Sequence, residues 1–109
     1  MGLSSLEKGK RFECDVAATF RAAGFPNARR GLGQARGGAE AADVVGIPGY
    51  WIECKHGARP NVNVVDALRQ AEGNANGEVP VAICKVNHEP ATATLALADF
   101  ITLLAKGTR

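Results

Sequence analysis

Apolar positions in this chain change period several times, and each change marks an element. Phe12, Val16, Phe20 and Ala23 recur at helical spacing across residues 6–23. Ser4 or Ser5 precedes them as an N-cap, and Gly24 followed by Pro26 ends the run, so an amphipathic helix is predicted there. Residues 28–30 read as a short strand. Residues 42–47 and 50–55 are rich in β-branched and aromatic side chains, and Pro48-Gly49 stands between them. Proline presets the first central turn position and glycine accepts positive φ at the second, so these runs predict an antiparallel hairpin.

Helical spacing returns over residues 64–75, with Val64, Val65, Leu68, Ala71 and Ala75 lining one side. Gly77 and Pro80 bracket a turn into residues 81–86, an almost continuous apolar run suited to the interior of a sheet. Residues 92–97 offer a further strand. Residues 99–105 predict a last helix, whose Phe100, Ile101, Leu103 and Leu104 call for burial in the core or against a second copy. The predicted architecture is a single α/β domain with a central mixed sheet flanked by helices.

A length of 109 residues suits one domain, spanning 1–109, with a modest core. Hydrophobic residues make up 46% of the chain, yet no run is long enough to span a membrane. The N-terminus lacks the basic-then-apolar order of a signal peptide, so cytoplasmic residence is expected. Three widely spaced cysteines, Cys14, Cys54 and Cys84, form no Cys-x-x-Cys pair and predict buried free thiols.

A net charge of +2 says little, but its distribution says more. Arg21, Arg29, Arg30 and Arg36 fall in a stretch free of acids, and Lys8, Lys10 and Arg11 cluster near the start of the first helix. From residue 61 onward, Arg69, Lys85, Lys106 and Arg109 are balanced by Asp66, Glu72, Glu78, Glu89 and Asp99. One basic face on a neutral body is the expected footprint for phosphate contact.

The densest chemistry lies in the hairpin. Its turn brings Asp43 opposite residues 53–55, and strand alternation puts Trp51, Glu53 and Lys55 on one face with Cys54 on the other. Two residues along a strand span roughly 6.6 Å, so Glu53 and Lys55 can address one phosphate. Asp43 and Glu53 offer the hard oxygen ligands that Mg²⁺ prefers. Lys55 can position or deprotonate a water, or offset developing negative charge. Glu13 borders the apolar stripe of the first helix, either snorkelling to solvent or leaning over the sheet as a third acid. A Glu-x-Lys tripeptide alone describes no more than a polar strand face with a surface ion pair.

The order of these elements carries more weight than any one of them. A helix holding Lys8-Gly9-Lys10-Arg11-Phe12-Glu13, a glycine- and arginine-rich connection, Ala42-Asp43, then Ile52-Glu53-Cys54-Lys55 resembles the PD-(D/E)XK nuclease superfamily. Within it the chain is most similar to the archaeal-type Holliday junction resolvases and their phage-encoded relatives. The resemblance covers nearly the whole chain and departs from the pattern at Ala42, where the motif carries proline. It implies a restriction-endonuclease-like domain that hydrolyses phosphodiesters with Mg²⁺, or Mn²⁺ in its place. Asp43, Glu53 and the Cys54 backbone carbonyl match the metal ligands. Glu13 matches a helical acid acting on metal directly or through water, Lys55 the catalytic lysine, and Gln70 a helical glutamine near the site. It further implies branched DNA as partner, a homodimer, and a bacterial or phage-infected cytosol, in DNA recombination and repair.

Lys8, Lys10, Arg11, Arg29, Arg30, Gln34, Arg36 and His56 are the candidate DNA contacts, with Gln34 and Arg36 on a glycine-rich connection suited to closing over a backbone. His56 equally suits a plain loop position. Two alternatives share these features: another nuclease of the same class (nickase, flap or restriction-like) and a DNA-binding module without catalysis.

Overall fold

The computed structural model describes residues 4–31, 42–57 and 62–107. The connection carrying Gln34 and Arg36 lies outside them. Helix α1 (Ser5–Ala22) is capped by Ser4: its hydroxyl accepts from the Glu7 amide at 3.1 Å, and Glu7 accepts from the Ser4 amide at 3.0 Å. This reciprocal pair satisfies two amides that would otherwise be orphaned at the helix start. Phe12, Val16 and Ala17 are buried and Phe20 is half-buried, whereas Ala23, expected in the stripe, is exposed at the C-cap.

Strands β1 (Arg29–Arg30), β2 (Val44–Val45), β3 (Tyr50–Gly57), β4 (Val79–Val86) and β5 (Thr92–Thr94) form one sheet in that order. All neighbours are antiparallel except β3 and β4, which run parallel. Helix α2 (Val64–Asn74) makes the crossover between that parallel pair, as a parallel connection requires. The domain is thus α/β with a mixed sheet flanked by helices. Val44 faces Ile52 across the β2–β3 hairpin, and the Tyr50 amide closes the turn on the Ile47 carbonyl at 3.1 Å. Gly49 takes a φ of 86°, as a proline-glycine turn demands.

Pro80, expected in the turn, is the second residue of β4. The Val79 amide bonds the Gly49 carbonyl towards β3, so position 80 faces the other way. Pairing with β5 starts only at Ala82, so the amide that proline lacks has no partner to lose there.

The sheet separates two apolar layers. Phe12, Val16 and Ala17 of α1 pack on Val44, Ile52, Val81 and Ile83. On the opposite face Trp51 packs with Ala42 and Ala71, and Ala67 with Ala82 and Cys84. The buried side of α2 is therefore centred on Ala67 and Ala71, and Val65, expected on it, is 54% exposed. Cys84 is buried, but Cys54 is only partly so and Cys14 is exposed; all three are free thiols. The expectation of three buried thiols fails because Cys14 lies on the solvent side of α1.

Helix α3 (Leu97–Gly107) starts two residues earlier than expected and takes Leu97 from the predicted strand. It buries no residue, and Phe100, Ile101, Leu103 and Leu104 are between 42% and 55% exposed. Burial of these side chains within the chain's own core is thus overturned. No helix among the described residues is long and apolar enough to cross a membrane.

Gly46 has a φ of 93°, and a β-carbon there would overlap the Asn27 carbonyl and the Ala28 amide. The lead-in to β1 runs directly against the residue that follows β2, so only glycine allows this close approach. Gly46→Ala is expected to cost at least ~2 kcal/mol in urea unfolding. Gly9→Ala, on α1 with open space around it, should instead gain about 0.5–1 kcal/mol. Equal stability of the two variants would contradict this packing.

Candidate active site

The hairpin loses its regular ladder where β2 begins, and Asp43 fills the gap. Its amide donates to the Ile52 carbonyl at 3.0 Å, and its carboxylate Oδ2 accepts from the Cys54 amide at 2.8 Å. The side chain thus takes the place of a backbone acceptor and is fixed in position by β3. In an extended strand the N–H and C=O of one residue leave on the same side, so the Cys54 carbonyl points to the Asp43 side as well.

Glu53 sits beside this arrangement on the α2 face of β3. It is 4% exposed and is the buried charged residue of the core. Its Oε1 accepts from Trp51 Nε1 at 2.9 Å and from Asn74 Nδ2 at 3.5 Å. These donors offset part of the cost of burying a carboxylate. Burial pushes Asp43 up from an ordinary 3.8 to about 7; the Cys54 amide opposes this, while the neighbouring Glu53 carboxyl adds to it. Two carboxyl groups this close favour holding a proton between them or sharing a cation.

Glu13 approaches from α1 on the other side of the sheet edge. Its Oε1 accepts from Arg30 Nε at 2.8 Å, with the two side chains 19% and 31% exposed. Burial raises its pKa, the Arg30 hydrogen bond lowers it, and the nearby Asp43 charge raises it. Asp43 is therefore the shared neighbour of both other acids. Among the described residues, no three histidine, cysteine, aspartate or glutamate side chains gather closely enough to enclose a metal ion. Glu13 is turned to Arg30, its ion-pair partner.

Lys55 lies one step beyond Glu53 on the same strand face, as alternation predicts. It is exposed and makes no ion pair with either acid among the described residues. Gln70 is exposed on α2, and Glu53 accepts no hydrogen bond from it among the described residues. Asn74, one turn further along, reaches Glu53 instead. Sequence reasoning missed Asn74 and Trp51. Both signals were present: residues 67, 71 and 74 share one helical face, and Trp51 precedes Glu53 by two on one strand face.

Arg30, one of the candidate DNA contacts, is the ion-pair partner of Glu13. Arg29 is exposed, and its guanidinium reaches the Asn27 carbonyl at 3.5 Å. Arg21 donates to the Ala28 carbonyl at 2.7 Å and ties α1 to β1. Lys10 is exposed, with its charge felt by Glu13. Lys8, Arg11 and His56 come together around a cavity at the far end of β3, where His56 stacks on Phe12 with ring centroids 5.5 Å apart. Cys54 has its thiol pushed well above the usual range by burial, which makes it inert packing against the first core layer.

Fold and site together define a small mixed-sheet α/β domain with a buried acid pair at the frayed edge of its central hairpin. No family model, curated protein or solved structure matches this chain.

The raised pKa of Asp43 has a definite sign. Between about pH 4 and pH 7 the folded state keeps a proton that the unfolded chain has released, so stability falls as pH rises. In EDTA, wild type should lose on the order of 4 kcal/mol relative to Asp43→Asn between pH 4 and pH 8, as an upper bound. Asparagine can still accept from the Cys54 amide. Urea unfolding across pH reads the effect, and parallel curves for the two proteins would refute it.

Proposed function

We propose that this chain is a metal-dependent DNA endonuclease acting on branched DNA, most specifically a resolvase of four-way junctions. The observation that carries this reading is the Asp43–Glu53 pair: two carboxyl groups pressed together, one donor-fixed by β3, with the ionised form of Asp43 disfavoured. Nothing in core packing calls for such a pair, and a divalent cation would relieve it. The donor set fits Mg²⁺, which binds through one or two carboxylates while keeping several waters. Asp43, Glu53 and the Cys54 carbonyl would hold it, with Glu13 reaching it through water; Mn²⁺ would substitute. When bound, such a cation polarises a phosphodiester oxygen and lowers the pKa of a coordinated water.

The chain's own residues do the rest. Trp51 and Asn74 orient Glu53, and the Cys54 amide orients Asp43. Lys55, exposed beside Glu53, approaches the phosphate from solvent and offsets charge developing on it. Arg30 keeps Glu13 in place and neutralises it until DNA arrives. The resemblance of residue order to the PD-(D/E)XK nucleases supports the same assignment, with cytosolic recombination and repair as its setting.

A symmetric junction needs two cuts, and α3 provides a surface for pairing two copies. Leu97, Phe100, Ile101 and Leu104 follow i, i+3, i+4, i+7 spacing and are 71%, 43%, 55% and 49% exposed. An exposed apolar stripe of this kind marks an interaction surface, and a twofold dimer would cover it with the same helix of the partner.

The second reading is a DNA-binding module without catalysis. It is favoured by the separation of Glu13 from the acid pair and by the absence of an ion pair to Lys55 among the described residues. Other nuclease substrates (nicked, flapped or linear duplex) share the same site.

Purified protein with a four-way junction and Mg²⁺ is expected to give paired nicks near the crossover, absent in EDTA. Lys55→Ala and Asp43→Asn should each reduce cutting at least ~100-fold while DNA binding persists. A panel of junction, flap, nicked and linear substrates ranks the alternatives. Binding without cutting under either Mg²⁺ or Mn²⁺ would leave only the non-catalytic reading.

Saturating Mn²⁺ should raise the Tm of wild type at pH 8 by several degrees, about 2.7 kcal/mol at a hundredfold excess over Kd. Asp43→Asn should show little of that gain. For the dimer, Ile101→Glu with Leu104→Lys should convert a sedimenting dimer to monomer; wild type sedimenting as a monomer at tens of micromolar would exclude the α3 interface.

A further inference from the structure

A cavity of about 450 Å³ opens between α1 and the far end of the β3–β4 pair, on the α1 face of the sheet. Its lining is strongly biased in charge. Lys8 and Arg11 come from α1, His56 from β3, Lys85 from β4 and His88 from the turn that follows. Asp15 is the one carboxylate on the lining. No ion pair engages Lys8, Arg11, Lys85 or Asp15 among the described residues. His56 and Lys85 are register partners across the parallel ladder, so the sheet itself holds them side by side. Lys85 caps its own strand end, with Nζ donating to the Val86 carbonyl at 3.4 Å.

His88 adds an independent sign. Its φ is 68°, the left-handed conformation that a non-glycine residue adopts at a cost. The turn is pinned on both sides, by the Asn87 amide on the Gly57 carbonyl and the Glu89 amide on the Val86 carbonyl, each at 3.1 Å. This backbone holds an imidazole at the rim of a basic cavity. The floor is the buried ring of Phe12, on which His56 stacks.

Basic side chains that make no ion pair among the described residues and converge on a concave surface make a site for a polyvalent anion. The volume falls in the range that takes a small organic ligand rather than a bare ion. Position narrows it further. His56 lies two residues beyond Cys54 on the same face of β3, roughly 6.6 Å away. The cavity therefore begins one short step from the carboxylate that the Cys54 amide fixes.

We propose that this cavity is a second phosphate subsite, holding a backbone phosphate and its nucleotide from the DNA strand whose neighbouring phosphate is presented to the acid pair. It rests on the reading of the chain as a DNA-acting protein. Lys85 and His88 are its distinguishing residues, since neither belongs to the acid-pair site. The same phosphate-ester chemistry exists in a free mononucleotide, so the test includes that arm.

Binding of a fluorescent four-way junction is measured by anisotropy in EDTA across a NaCl series, with the full chain. The comparison uses Lys85→Gln with His88→Gln, Lys8→Gln as a second variant, and Arg69→Gln on the opposite sheet face as control. Melting temperature confirms that each is folded. The double variant and Lys8→Gln are each expected to weaken binding about tenfold and to reduce the slope of log affinity against log salt by about one. Arg69→Gln should match wild type. Unchanged affinity and slope in both pocket variants would overturn the proposal. So would tight binding of deoxyadenosine monophosphate at Lys85 and His88, seen by NMR, that junction DNA fails to displace. Cleavage with Mg²⁺ is run in parallel. Cutting that is indifferent to the pocket variants refutes the subsite alone, whereas pocket-dependent binding without cutting refutes the nuclease reading alone.

Discussion

At the start of β2 the Cys54 amide donates to the Asp43 carboxylate at 2.8 Å, in place of the backbone acceptor that a longer strand would supply. This bond places a charged side chain where the sheet would otherwise continue. It brings Asp43 against Glu53 on one side and within electrostatic reach of Glu13 on the other. The site exists because the hairpin ladder stops there. A regular extension of β2 would have paired the backbone and turned the Asp43 side chain out along the normal alternation of the strand.

Cost and compensation around that point follow one logic. Glu53 is held beneath α2 by an indole and an amide, neither of which carries charge. Those donors satisfy its oxygen without neutralising it, so its field persists at Asp43. Arg30 by contrast neutralises Glu13 directly. Asp43 and Glu53 make no ion pair among the described residues, while Glu13 has Arg30. Two carboxyl groups sharing one site disfavour being ionised together, which is the direction in which Asp43 is shifted.

Charge and apolar surface are segregated elsewhere in the same manner. The basic cavity lies on the α1 face of the sheet, at the end of β3 beyond Cys54. The exposed apolar helix α3 stands off after β5, with no buried residue of its own. Acid pair, basic cavity and uncovered helix thus occupy three separate parts of one small fold. In the nuclease reading they serve the cation, the DNA backbone and the second copy.

The sequence by itself determined the period changes along the chain, and with them the helices, the proline-glycine hairpin and the Trp51–Glu53–Lys55 face. These are local matters: spacing, turn chemistry and alternation need no knowledge of distant residues. Only the tertiary structure decided which partner each charged group meets. Arg30 reads as one of a run of basic residues, and only β1 places it against Glu13; Asn74 shares the helical face of residues 67 and 71, but only the packing of α2 brings it to Glu53. The same holds for α3, whose apolar face predicts burial but whose packing depends on what lies beyond β5. Side-chain partners are set by how elements cross in space, and that information is spread over residues far apart in the chain.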